Sequence, residues 1–445
     1  MNRFTFFIAL ISLTAHYYDY HIIGHLAVQI SENFFLETDP ISGMIKTYAI
    51  IYLSMLAKPL GAFIFGKISD IKGRQVVIKI GLIITALASI CIACIPSYSS
   101  IGILATILLL ICRIIIATTT SSSADAIRIY LYERQKERPY FSIGISSLFS
   151  VLGTLIASFS VYIFTLKSLP SYAWRFSILL GGAFSLIIYF IYYFYSDKLD
   201  NINYVKQSKD YVKTQNLTTY DVIKENKLKF ILVAIATGCI GALFHFHCIF
   251  WGNYNCSIPT LVSDIKKYIP IAILIYIIGL LFFSYLSDIF KPKRIFQISI
   301  CFTTILYICL GFNLFNKTLH LAFYIIASFF IGGSLVSSLA IITKAIEMNI
   351  RNRLIGFAHS FGSIFISNSM SIIILFLYKL TNICEVSIIY ALFLVFVLLL
   401  YQMYLDRLSD NLPHNIAKHY ALQYLLFSAI CCYGRYCIDI GNKSS

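Results

Sequence analysis

Apolar stretches of roughly 18 to 25 residues recur along the chain, and at about 1.5 Å per residue each reaches across a ~30 Å hydrocarbon core. They fall near residues 4–27, 43–66, 76–95, 101–126, 141–165 and 176–196, then near 229–251, 268–287, 293–313, 319–343, 354–378 and 385–405. Main-chain N–H and C=O groups that face lipid have to be satisfied within their own segment, so each stretch is expected to be a helix. A short loop signature follows the second run, Gly66-Lys67-Ile68-Ser69-Asp70-Ile71-Lys72-Gly73-Arg74, and a worn copy follows the eighth, Ser284-Tyr285-Leu286-Ser287-Asp288-Ile289-Phe290-Lys291. The two aspartates lie 218 residues apart. The pattern therefore predicts an all-α membrane protein of twelve transmembrane helices, built from a duplicated six-helix unit. Residues 1–196 form the first half, 197–228 a cytoplasmic linker, 229–405 the second half and 406–445 a cytoplasmic tail. A duplicated helical bundle in lipid points to a transporter.

Composition agrees with the patterning. Of 445 residues, 59% are hydrophobic and 12% charged, and the mean hydropathy is +0.80. That leaves too little polar surface to cover a soluble fold of this length. The formal charge of +15 is informative through its distribution. Of the 35 Lys and Arg, 23 fall in alternate loops on one side and 7 on the other, the rest being Lys58, Arg113 and three in the tail. The positive-inside rule then puts both termini and the 197–228 linker in the cytoplasm of a cell with this protein in its inner (plasma) membrane. No basic patch interleaved with aromatics is left over, so nucleic acid is not an expected partner.

The first run has no small-residue cleavage site and is long enough to span, which predicts a retained helix and not a signal peptide. Most of the twelve cysteines lie inside predicted spans, where they act as small apolar residues, and Cys91 and Cys94 have no partner pair for a metal. Phosphate-loop, zinc-helix and nucleophile-elbow patterns are absent, so neither an enzyme nor an ATP-driven pump is expected, and no cofactor is implied. Uphill movement of a solute would draw on an ion gradient.

The loop Gly66-x-x-x-Asp70-x-x-Gly73-Arg74 resembles the motif between helices 2 and 3 of the major facilitator superfamily. Further stretches are similar to its metabolite:proton symporters, and among them to proline/betaine transporter-like members. These are Tyr17-Tyr18-Asp19-Tyr20 with Gly24, Lys58-Pro59-Leu60-Gly61, Gly73-Arg74-Gln75, Ile95-Pro96-Ser97-Tyr98, Leu110-Ile111-Cys112-Arg113, Glu133 and Trp174-Arg175. The likeness is dense from about residue 16 to 180 and thins to Leu286-Ser287-Asp288 and Ile350-Arg351 beyond. Three sites depart from the pattern, five residues in all. Ser121-Ser122-Ser123 stands where the family has Gly-Gly-Glu, Lys58 replaces an arginine and His16 a glutamate. The resemblance implies a gating loop of Gly66, Asp70, Gly73, Arg74 and Asp288, with Lys58, Asp125, Arg128 and Glu133 as a gating or charge cluster.

Ionisable residues at mid-span cost ~2.5 to 3.5 kcal/mol and persist where they meet partners or water. Asp19 and Arg113 are the leading pathway candidates, either as a packing pair or as a clamp for the carboxylate and cationic nitrogen of a zwitterion. His16, three residues before Asp19, is a candidate proton site. Tyr17 and Tyr20 suit a quaternary ammonium by cation–π attraction, and equally suit an interface anchor. His245 and His247 point to opposite faces, so at most one faces a central cavity. The expected function is proton-coupled uptake of a small zwitterionic osmolyte or organic-acid metabolite such as proline or betaine, by a monomer that works by alternating access. The alternatives are an exporter or facilitator of another solute, and a transport-inactive paralogue acting as a membrane sensor.

Overall fold

A computed structural model describes residues 3–36, 39–61, 64–65, 74–134, 139–196, 219–257, 267–311, 317–346 and 350–409. The backbone is helical, with no strand among the described residues. Among the described residues the long helices are, in order, α1 Arg3–His25, α2 Pro40–Gly61, α3 Arg74–Cys94, α4 Ile103–Arg134, α5 Pro139–Phe164, α6 Trp174–Ser196, α7 Lys227–Tyr254, α8 Ile269–Ile289, α9 Pro292–Gly311, α10 Lys317–Ala345, α11 Leu354–Thr381 and α12 Val386–Ser409. Nine of the helices among the described residues are long and apolar enough to cross a membrane. α1 and the shorter apolar stretches Ile103–Thr119 and Val386–Gln402 occupy the places of the other three predicted runs.

Helix packing repeats with an offset of six. In the first half α1 packs on α4, α5 and α6, α2 on α4, and α3 on α4 and α6. In the second half α7 packs on α10, α11 and α12, α8 on α10, and α9 on α10 and α12. Glycines at matching interfaces let the backbones approach. A Cβ on Gly61 would strike the Thr118 carbonyl of α4, and one on Gly279 the Phe329 carbonyl of α10. Lipid offers no hydrophobic drive for helices to associate, so this close van der Waals packing is what holds such pairs together. Outward-facing side chains such as Ile103, Phe194 and Phe365 are more than half exposed and apolar, as lipid contact requires.

The two sets of helices meet along α5 with α8 and along α2 with α11, with α1 touching the turn in α7. That turn, Phe246–Phe250, is a π-helix, and a second one, Ser363–Ser367, interrupts α11. Such single π-turns carry an extra residue and often mark functional sites. Both flank the centre of the molecule.

Candidate functional site

Between the two sets of helices lies a cavity of about 160 Å³. α1 contributes His16, Tyr17, Tyr20 and His21, and α2 contributes Lys58. α5 presents Ser147, Ser150 and Thr154, and α11 presents Ser360, Ser363 and Ser367. Each of those triplets has i, i+3, i+7 spacing, which keeps three hydroxyls on one face of a helix. α7 adds Thr237, Gly241, Phe244 and His245, α8 adds Tyr276, and Val151, Leu335, His359 and Asn368 complete the wall. No aspartate or glutamate lines the cavity among the described residues.

Lys58 is buried here, 8% exposed. Its Nζ donates to the Tyr20 hydroxyl at 3.1 Å and to Ser363 Oγ at 3.0 Å, and stands 4.8 Å from the Tyr20 ring centroid. One ammonium therefore joins α1 and α2 to α11. His21 Nδ1 shares a hydrogen bond with Thr154 Oγ1 at 2.7 Å, which orients its ring. His16 is fully buried and neither ring nitrogen meets a protein partner; the same is true of Ser147 Oγ.

Asp19 and Arg113 are placed differently from the pathway reading. Both are fully buried, yet neither lines the cavity. The Asp19 carboxylate accepts from Ser89 Oγ of α3 at 2.7 Å and from Ser185 Oγ of α6 at 2.8 Å. Arg113 donates to the main-chain oxygens of Asp19 and Tyr20 at 3.2 and 3.3 Å, not to the carboxylate. The reason is helical phase. At about 100° per residue, Asp19 lies about 60° past His16 on the side away from Tyr17, so it turns into the α3–α6 wall. Lys58, expected in a gating charge cluster, instead belongs to the cavity.

His245 faces the cavity, while His247 is a packed histidine bonded to Tyr324 O, Ser328 Oγ and the Tyr307 hydroxyl at 3.0, 2.9 and 3.2 Å. Asp288 caps the start of α5: its carboxylate accepts from the N–H groups of Tyr140 at 3.1 Å and Phe141 at 2.9 Å. An anion at a helix N-terminus satisfies orphan donors and the macrodipole together. Gly66, Asp70 and Gly73 lie outside the described residues, as do most of the linker and tail. Arg74, Asp125, Arg128 and Glu133 are described only as helical backbone.

The far end of the molecule is closed by contacts between the two sets of helices. Lys379 of α11 reaches Ser42 Oγ at 2.6 Å and Asp39 at 3.4 Å, and Asn253 of α7 donates to the Gly24 carbonyl at 2.7 Å. Asp39 also N-caps α2 through the N–H groups of Ile41 and Ser42. The Ser42 hydroxyl above all, then these amides and Lys379, hold its carboxyl below the usual carboxylate range.

Sequence reasoning missed the hydroxyl stripes of α5 and α11. The signal was present in their i, i+3, i+7 spacing within otherwise apolar runs.

Residues 4–197 match the family described as sugar (and other) transporter. A putative proline/betaine transporter of Staphylococcus haemolyticus is 27% identical over 336 residues, 71% of this chain and 68% of the relative. The proline/betaine transporter of Escherichia coli K12 is 33% identical over 122 residues, 27% of this chain and 24% of its own length. Among solved structures, a D-xylose-proton symporter superposes with a TM-score of 0.64 at 12% identity, covering 88% of this chain and 96% of that one. A partially occluded inward open xylose transporter from E. coli gives 0.65 at 13% identity, covering 91% and 97%. The repeated six-helix packing, the central polar cavity and these likenesses converge: residues 4–197 match the sugar (and other) transporter family, and the chain resembles proline/betaine transporters and shares the fold of the xylose transporters.

Proposed function

We propose that the protein takes up a small zwitterionic or organic-acid metabolite together with protons, by rocking residues 1–196 against residues 229–405 about the central cavity. The observation that carries this reading is the cavity itself. It is buried, polar and walled by both sets of helices, and Lys58 bonds across it to Ser363. A site shared in this way changes shape when the halves rotate, which is what alternating access needs. The imidazoles of His16, His21 and His245 are candidate proton carriers, because they line the cavity and an imidazole can both take up and release a proton. Ties through Lys379 and Asn253 hold one end of the two halves together and Asp288 on the start of α5 holds the other. The relatives named as proline/betaine transporters make proline and betaine the first solutes to try.

Reconstituted vesicles test this with labelled proline, betaine and succinate, each with and without an inward proton gradient. The expected result is uptake of at least one solute that accelerates with the gradient and collapses with a protonophore. Uptake indifferent to the gradient would leave a facilitator, and movement of none would leave the sensor.

A further inference from the structure

The cavity holds a positively charged anchor and unmet hydrogen-bonding groups, and its described lining contains no acid. His16 and Ser147 are the key observation. Both are buried polar side chains on the cavity wall without a protein partner, one on α1 and one on α5. Buried polar groups are nearly always satisfied, and an orphan is costly, so these two are shaped for a visitor. Lys58 stands in the same cavity with its ammonium on two hydroxyls, Tyr20 and Ser363. Hydroxyls are replaceable partners: a carboxylate offers the same ammonium a charge-assisted bond about twice as strong.

We propose that this is a carboxylate site for a solute of net negative charge, with Lys58 as its charged anchor and His16 and Ser147 as its hydrogen-bonding flanks. This deepens the transport reading and rests on it. A zwitterion or cation fits less well on two counts. The nearest described carboxylate of α1, Asp19, is held by Ser89 and Ser185 outside the cavity, so no described acid receives a cationic nitrogen. The aromatic face that would substitute, the Tyr20 ring, already carries Lys58 at 4.8 Å. A second cation on that ring would meet like charge. The site also explains how binding reaches the halves, because a carboxylate that draws Lys58 off Ser363 removes a bond between α2 and α11.

The test is a thermal-shift and competition series on the purified full chain in detergent, with succinate and lactate as anions, proline and betaine as zwitterions and choline as the cation. The anions are expected to raise the melting temperature, with the other three weaker by tenfold or more in apparent Kd. Lys58→Gln should weaken succinate binding at least tenfold, while Lys58→Arg should keep most of it. His16→Gln and Ser147→Ala should each weaken it severalfold, and these two carry the test if Lys58→Gln does not fold. Betaine or choline binding more tightly than succinate overturns the proposal, as does succinate binding unchanged in Lys58→Gln and Ser147→Ala, or no binding by either anion. The vesicle assay separates the two readings. Anions that bind through Lys58 but never cross would sink transport and leave the site, whereas betaine crossing without anion binding would sink the site and leave transport.

Discussion

The guanidinium of Arg113 grips α1 by its main chain, at the carbonyls of Asp19 and Tyr20, and in doing so fixes the phase of the helix that presents His16, Tyr17 and Tyr20 to the cavity. Asp19 reinforces the same phase from the opposite side through Ser89 and Ser185. The two residues are neighbours with separate duties, which a double-mutant cycle can read. Arg113→Gln should destabilise the protein by about 2 kcal/mol, because two hydrogen bonds from a buried charge are lost. Adding Asp19→Asn should not restore that loss. The coupling between the two in detergent melts should be smaller than the Arg113→Gln loss itself, since the Arg113 bonds do not use the carboxylate. Recovery in the double variant would mean that the side chains pair directly. His16, Tyr17 and Tyr20 were legible as pathway candidates, but the direction of Asp19 was not, because it depends on serines 70 and 166 residues away.

At the level of elements, α2 begins on a residue with two tasks: Asp39 caps the helix and meets Lys379 of α11. Asp39→Ala removes an N-cap, a loss of about 1 kcal/mol, and an ion pair that is half exposed and adds little more. Because the folded carboxyl titrates below its ordinary value, its contribution is complete above the unfolded pKa of about 3.9 and fades as pH falls through the lower folded value. Melting curves should therefore separate wild type from Asp39→Ala at pH 6 and draw together as pH falls below about 3.9, and a gap that widens on acidification would contradict the assignment. The long apolar runs were legible as helices because length and hydropathy alone decide them. The π-turns at Phe246–Phe250 and Ser363–Ser367 were not, since a single extra residue leaves no mark on an apolar pattern. Lys58 escaped for a related reason. A turn at Leu56 and Ala57 interrupts α2 just before it, and where the side chain then points is set by Tyr20 and Ser363, not by its own run.

Across the whole molecule, the alternating basic loops predict a sidedness that reporter fusions can check. Fusions at residue 210 and at the C-terminus should both report cytoplasm and one at residue 258 the far side, and residue 210 outside would overturn the twelve-span arrangement. The offset-six packing shows why the duplication was readable even from a worn second loop. The helix pairs α2–α4 and α8–α10 need the same close approach, and the glycines that permit it, Gly61 and Gly279, survive where the loop glycines do not. Two of the ties between the halves stand at opposite ends and on opposite flanks: Asp288 on the start of α5, and Lys379 on the start of α2. They act as a pair of diagonal pins, so a tilt that opens one end has to draw the pin at that end while the other serves as the fulcrum. Each pin is worth about 1 kcal/mol as a cap or exposed ion pair. Pulling one would tip the balance between the two tilts by about fivefold, a bias small enough for a solute of modest affinity to reverse on every turn of the cycle.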